Sequence, residues 1–364
     1  MGLNLQVQAD RPRGNIPRCL VPGARHQKVL PEMTSPRFDV LAIGNAIVDV
    51  MAPADDALLA NEGLTKGGMM LIDADRATSL YAAMGPAQEI SGGSAANTLA
   101  GLAGMGCKCA FIGQVADDQL GEVFAHDVRA LGIDYATPVR AGDDTPTARC
   151  LILVTPDGQR TMNTFLGASQ FLPASALDPK MIADAAVLYL EGYLWDPEEP
   201  RAAMRAAIDA ARSAGRKVAF TLSDAFVIDR HRADFLDLLD KGQIDILFAN
   251  EAEICSLAQI DDFDGAVAAI SAKLPTLVVT RSEHGAIAVH EGARFAVPAE
   301  PIDKVVDTTG AGDLFAAGFL AGQAQGRDVE TSLRMGAIAA AEIISHFGAR
   351  STADLKALVA QKLG

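Results

Sequence analysis

Asp307-Thr308-Thr309-Gly310-Ala311-Gly312-Asp313, running straight into Leu314-Phe315-Ala316-Ala317-Gly318-Phe319, is the stretch on which the reading of this chain turns. Small residues at 310–312 leave backbone N–H groups uncovered, and an apolar helical pattern begins just behind them. The first turn of a helix has N–H groups without internal acceptors and carries the positive end of the macrodipole, so the segment is a ready anion site. Asp313 stands in that first turn. A carboxylate beside a bound phosphate is electrostatically costly unless it has a task there. Taking the proton from a hydroxyl that attacks the phosphate is such a task. In isolation, a glycine turn with a dipole-favoured Asp would explain the same residues, so the weight falls on their context.

Outward from this motif, apolar runs of strand length alternate with helix-like stretches. Strands are expected at Phe38–Ile43, Ala110–Val115, Val187–Glu191, Lys217–Leu222, Asp245–Ala249, Thr276–Thr280 and Ala286–His290. Ala-rich amphipathic segments lie at Gly93–Met105, Gly121–Leu131, Pro200–Ser213 and Asp264–Lys273, and Asp313–Gln325 and Thr331–His346 close the chain. Continuous apolar strands alternating with helices imply a mostly parallel sheet covered on both faces. Many of the strands end in polar or glycine residues: Gly44-Asn45, Gly113-Gln114, Glu191-Gly192, Ser223-Asp224, Asn250-Glu251 and Arg281-Ser282. Ligands of open α/β sheets bind at the carboxyl ends of the strands, so these groups are expected around one cleft.

Two stretches leave the alternation. Ile47–Ile72 shows no clear helix before Asp73, and Thr147–Thr155, Pro156-Asp157-Gly158 and Gln159–Phe165 read as a β-hairpin. Together, about 46–72 and 145–168 are expected to build a small β-lid that keeps water from a phosphoryl transfer. Two plain surface hairpins would give the same pattern.

The chain has 364 residues, 49% of them hydrophobic and only 5% aromatic, which suits a sizeable core of closely packed small side chains. Its net charge of −15 argues against a nucleic-acid partner, although a local N–H cradle can still hold a nucleotide. Five cysteines form no disulfide-like framework, and Cys107-x-Cys109 lacks the further ligands of a metal site, so a reduced, cytoplasmic setting is expected. No apolar run reaches the roughly 20 residues of a membrane span. Residues 1–36 are Arg- and Pro-rich and are expected to be a disordered or non-native extension rather than a transit peptide, with Met33 as the native start. Residues 37–364 then form the working domain.

The Gly-x-x-x-x-Gly-Lys-[Ser/Thr] phosphate loop is absent, and Gly44-Asn45-Ala46 is not a dinucleotide fingerprint. A second glycine turn, Gly92-Gly93-Ser94-Ala95-Ala96-Asn97, precedes a helix of small residues. Two glycines let backbone approach a ligand closely, and Asn97 can donate to and accept from a sugar hydroxyl. Asp49, six residues past the first strand, offers two acceptor oxygens to a diol.

On these residues the chain resembles the PfkB/ribokinase family of sugar and nucleoside kinases. Gly92-Gly93-Ser94-Ala95-Ala96-Asn97-Thr98 resembles the family's first signature, and Asp307–Asp313 matches the second nearly letter for letter. The likeness extends over roughly residues 38–350. It implies a ribokinase-like three-layer α/β/α fold with a mostly parallel central sheet and a small β-lid. Asp313 would be the general base, and Gly310, Ala311 and Gly312 would complete the anion hole. Asn250 and Glu253 resemble the Asn-x-x-Glu motif that orders Mg²⁺ and phosphate through water. Thr280 and Gly285 match the nucleotide-side strand and turn. Between them Arg281-Ser282 replaces the usual Leu-Gly, placing Ser282 on the nucleotide side and leaving Arg281 either on a phosphate or in solvent. Asp307 would sit near an activating monovalent cation such as K⁺.

The implied substrates are ATP and a small-molecule acceptor. Gly44-Asn45 followed by Asp49, together with Ser94 after the glycine pair, resembles the opening of the family's adenosine-specific members. Leu166, in the apolar segment Phe165-Leu166-Gly167-Ala168, would cover a purine, and Tyr193 would supply an aromatic wall or pack in the core. Arg149 would hold a phosphate as the lid closes, or face outward. The expected reaction is transfer of the γ-phosphoryl group to the 5′-hydroxyl of adenosine. A ribokinase- or fructokinase-like sugar kinase is the alternative, and a non-catalytic binder on the same fold is a third reading. Monomer and homodimer are both compatible with the sequence.

Overall fold

The computed structural model describes residues 35–364, so the expectations for the Arg- and Pro-rich start, Met33 included, lie outside the described residues. Fourteen strands follow in chain order. They are β1 (Phe38–Ile43), β2 (Ile47–Pro53), β3 (Met69–Leu71), β4 (Gln88–Gly92), β5 (Cys109–Ile112), β6 (Asp134–Tyr135) and β7 (Ala148–Val154), followed by β8 (Arg160–Phe165), β9 (Ala185–Glu191), β10 (Lys217–Thr221), β11 (Ile246–Asn250), β12 (Thr276–Thr280), β13 (Ala286–His290) and β14 (Ala293–Val297).

Nine strands form the central sheet in the order β14-β13-β12-β11-β10-β9-β1-β5-β6. Every pairing from β12 across to β6 is parallel, and β13 and β14 add an antiparallel edge. The strands read as unbroken apolar runs because both faces are covered. Along β1, Val40 and Ala42 enter one core with the helices Ser94–Gly104, Ala311–Ala324 and Val329–Ile343. Leu41 and Ile43 enter the other, with Glu198–Ser213, Ala225–Asp240 and Phe263–Ser271. This is the three-layer architecture that the strand pattern implied.

β1 lies between β9 and β5, so chain connections leave it toward both sides of the sheet. At that switch point, where open α/β sheets bind their ligands, the carboxyl ends of the strands carry Asn45, Glu191 and Asn250. A second sheet, in the order β3-β8-β7-β2-β4, rises beside it, and the expected hairpin is its β7–β8 pair. This sheet also takes in β4, outside the expected 46–72 and 145–168 segments. Gln88-Glu89-Ile90-Ser91 is too polar to be read as a strand and gains its place by pairing with β2.

The 47–72 stretch is not helix-free: Asp56–Asn61 is a short helix whose first turn is capped by Asp55 Oδ1 accepting from Leu58 N at 2.8 Å. Six residues are too few to show a helical period. The helix Ala225–Asp240 was also not visible as a pattern, and non-helical backbone at His231 interrupts it.

Candidate active site

The Ala311–Ala324 helix begins where Gly310 turns the chain with φ +79°. A Cβ at Gly310 would lie 3.1 Å from Ala349 Cβ, so the turn also packs closely on the segment after the Val329–Ile343 helix. Gly312 is exposed and faces open space. Gly312 and Asp313 occupy the second and third helical positions, whose N–H groups have no acceptor inside the helix.

Asp313 is held by the other glycine motif. Ser94 Oγ donates to its Oδ1 at 2.6 Å and Asn97 Nδ2 donates to its Oδ2 at 3.0 Å. Both donors come from the first turn of the Ser94–Gly104 helix, so two motifs more than two hundred residues apart meet on one carboxylate. Burial raises the Asp313 pKa, while the bonds from Ser94 and Asn97 and the charge of Arg350 pull it down. An acid shifted this way holds its proton more firmly than a free aspartate, which is what a proton acceptor needs.

The glycine pair works by absence of side chain. A Cβ at Gly93, where φ is +94°, would lie 2.3 Å from Asn45 O. A Cβ at Gly92 would lie 2.6 Å from the Asp49 carboxyl. Asp49 thus sits against the turn from β2, and burial pushes its pKa up to about 6 despite Arg350 and Arg160 nearby.

Three residues that the motifs did not single out complete this half of the cleft. Glu191, fully buried at the end of β9, accepts from Asn45 N at 2.6 Å, Asn45 Nδ2 at 2.7 Å and Ala95 N at 2.8 Å. Burial raises its pKa to about 7. Its position among the polar strand ends was the one available signal. Arg350 donates to Ser91 O at 2.7 Å and to Ala96 O at 2.8 Å, clamping the glycine turn from behind, and burial lowers its pKa to about 10. Arg160 at the start of β8 reaches Asp307 at 2.8 Å, with both side chains only 7% exposed.

Asp307 does more than begin the motif. Its Oδ1 accepts from Thr309 N at 3.0 Å and Thr309 Oγ1 at 2.8 Å, and its Oδ2 accepts from Gly348 N at 3.0 Å. With the ion pair to Arg160, these three hydrogen bonds occupy most of the surroundings of the carboxylate. The expected place of this side chain beside a monovalent cation does not fit that arrangement.

On the opposite side of the cleft, Asn250 and Glu253 form a capping box at the Glu251–Ala258 helix: Asn250 N donates to Glu253 Oε2 at 3.0 Å and Glu253 N to Asn250 Oδ1 at 2.8 Å. Asn250 Nδ2 reaches the other Glu253 oxygen at 2.7 Å, and burial raises the Glu253 pKa to about 7. Each carboxylate oxygen carries one bond and keeps a lone pair, which fits a water-mediated role toward Mg²⁺. Among the described residues no three His, Cys, Asp or Glu side chains converge in a metal cluster.

Thr280 ends β12, Ser282 starts a short turn with φ +49°, and Gly285 closes it with φ +81° and a virtual Cβ 2.1 Å from Val297 O. Arg281 is part-exposed: its Nε donates to Glu251 at 2.9 Å and its guanidinium lies 4.1 Å from the Phe263 ring centroid. Arg149 bonds Thr78 Oγ1 at 3.2 Å and shares its register row with the buried Val48, on the helix-covered face of the second sheet. Tyr193 is 38% exposed just past Glu191. Leu166 is half-buried at the end of β8. Among the described residues, no helix is long and apolar enough to cross a membrane.

Comparison with known proteins agrees with this geometry. The pfkB family carbohydrate kinase profile matches residues 64–356. An adenosine kinase of Saccharomyces cerevisiae is 28% identical over 336 residues, covering 87% of this chain and 96% of its own. A crystal structure of a probable sugar kinase protein from Rhizobium etli CFN 42 superposes with TM-score 0.83 at 48% identity, covering 90% of this chain and 99% of that one. The adenosine kinase from Sinorhizobium meliloti does so with TM-score 0.82 at 47% identity, covering 89% and 99%. This chain, with its ribokinase-like fold and its two glycine motifs joined on Asp313, belongs to the pfkB family of carbohydrate kinases, phosphotransferases that act on hydroxyl groups.

Proposed function

We propose that this kinase transfers the γ-phosphoryl group of ATP to the 5′-hydroxyl of adenosine, giving AMP and ADP. The observation that carries the chemistry is Asp313, held by Ser94 and Asn97 in the first turn of a helix whose N–H groups face the cleft. The ribose diol rests against Asp49 and the Gly92–Asn97 turn, with Asn45 held in line by Glu191. The 5′-hydroxyl then points to Asp313. As the oxygen attacks the γ-phosphorus, its proton passes to the Asp313 carboxylate. The bond to the bridging oxygen breaks, and its electrons leave with ADP. N–H groups of Gly310–Asp313 meet the charge that develops on the phosphoryl oxygens. Thr280, Ser282 and Gly285 line the nucleotide side. Mg²⁺ bound with ATP would spread the phosphate charge, with Asn250 and Glu253 orienting its water shell.

Adenosine is favoured by the face that the second sheet turns to the cleft. Asp49 lies on that face, and the register puts Met51 and Met162 in one row with Met69 of β3, and Leu71 in the row of Asp49. Met69 is 58% and Leu71 65% exposed, an apolar surface with no use for a free sugar but suited to a purine. The second sheet then serves as the lid. The S. cerevisiae and S. meliloti relatives carry the same activity in their names. The R. etli relative, described as a sugar kinase, supports a free sugar as the second reading.

ADP release from Mg·ATP, with adenosine, inosine, ribose and fructose offered in parallel, tests the assignment. Turnover with adenosine alone is the expected result. Turnover with a free sugar would keep Asp313 as base and discard the purine, whereas silence on all four from folded protein would revive a non-catalytic binder.

A further inference from the structure

Members of this family are expected to place a monovalent cation near the aspartate that opens the second motif. In this chain that aspartate already has three hydrogen-bond donors and a positive partner. Thr309 N, Thr309 Oγ1 and Gly348 N donate to Asp307 at 2.8–3.0 Å, and Arg160 Nη1 forms an ion pair with its Oδ2 at 2.8 Å. A further ion would have to displace one of these donors. It would also sit beside a guanidinium that has little water to screen it, since Arg160 and Asp307 are each 7% exposed. Like charges at such range in a dry site repel strongly.

The guanidinium is also well placed to stay. A second terminal nitrogen, Nη2, lies 3.3 Å from Met51 Sδ on β2, and the group stands 5.7 Å from the Phe347 ring centroid. Arginine cannot be deprotonated in a protein, so its charge is permanent. Asp307 reaches the anion-hole turn through Thr309, the residue before Gly310, and reaches the 348–350 segment through Gly348. Whatever neutralises Asp307 therefore props the turn that carries Gly310 and Asp313.

We propose that Arg160 is the built-in cation of this site, so that the kinase works without K⁺ or any other monovalent metal ion. The anion-hole turn is then supported from the second sheet rather than by a diffusible ion. This rests on the kinase reading only for its activity readout; the stability readout below stands apart from it.

The test uses the full chain. Initial rates and thermal midpoints are measured across a KCl titration, with tetramethylammonium chloride holding ionic strength constant. The wild type should show the same rate and the same midpoint in both salts. Arg160→Lys keeps the charge and should remain indifferent to K⁺. Arg160→Gln removes it, and its midpoint should rise with K⁺ but not with tetramethylammonium, since an ion that binds only the folded state stabilises it. A K⁺-specific rise in the wild-type rate or midpoint would overturn the proposal. So would a folded Arg160→Gln protein that ignores K⁺, because Arg160 would then fill no cation's place. If Arg160→Gln does not fold, the wild type and Arg160→Lys still decide, and if no acceptor turns over, the midpoints still decide.

Discussion

The proposed reaction concentrates its chemistry in one side chain, Asp313. Asp313→Asn keeps the size and can still bond Ser94 and Asn97, but it cannot take a proton. Its kcat should fall by roughly 10²–10⁴-fold while ligand-induced shifts in the thermal midpoint persist; near-normal turnover would remove Asp313 from the role of base. Gly93→Ala is expected to fail for a different reason. The new methyl would press on Asn45 O from 2.3 Å at a φ of +94°, so stability should drop by about 1–3 kcal/mol and the acceptor KM should rise with it. Thermal unfolding together with steady-state kinetics checks both. Arg281 shows the limit of judging a residue by motif. Glu251 and the Phe263 ring hold it at the part-exposed surface, a pairing between elements that no local pattern displays.

At the level of elements, Glu191 joins three of them: the loop after β1, the end of β9 and the start of the Ser94–Gly104 helix. Its two oxygens accept from N–H donors only, so Glu191→Gln must turn its NH₂ group against either Asn45 or Ala95. A buried donor facing a donor costs about 1–3 kcal/mol. The expected signature is a raised acceptor KM with a smaller loss in kcat, because Glu191 positions Asn45 and does not touch the reacting atoms. An unchanged KM would leave Glu191 with a purely structural part. The Ala311–Ala324 and Val329–Ile343 helices approach closely, since a Cβ at Gly318 would lie 2.4 Å from Met335 O. Gly318→Ala should therefore cost about 1–3 kcal/mol of stability, read as a lowered midpoint. Apolar strands of the central sheet were legible because burial on both faces leaves a continuous run. β4 and the Asp56–Asn61 helix were not, the first because pairing rather than hydrophobicity makes it a strand, the second because it is too short to show a period.

For the molecule as a whole, buried acids set the response to pH. Glu191 and Glu253 are raised to about 7 and Asp49 to about 6, each mainly by burial. Between the ordinary carboxylate value and these raised values the native state holds protons that the unfolded chain has released, so stability falls as pH rises. Asp143, bonded by Arg140, and Asp157, bonded by Lys66, are lowered to about 2 and act in the opposite sense, but only at more acid pH. The thermal midpoint should be highest at about pH 4 and decline toward about pH 8, with Glu191→Gln flattening the decline. Scanning calorimetry at constant ionic strength checks this, and a midpoint that climbs steadily over that range would contradict it.

Local chemistry alone settled much about this protein. A glycine turn, a helix start and a carboxylate lie within the seven residues Asp307–Asp313, a pattern suited to an anion that took its weight from the strand and helix pattern around it. The apolar alternation settled the layered sheet in the same way, because strand and helix periods are short-range properties. Only the tertiary structure decided what surrounds the motif. Asn45 meets Glu191 across 146 residues and Ser91 meets Arg350 across 259, and Asp307 meets an arginine from another sheet where a cation was expected. Such pairings arise from how the elements pack, and the energy of a buried charge depends on which partner packing delivers to it.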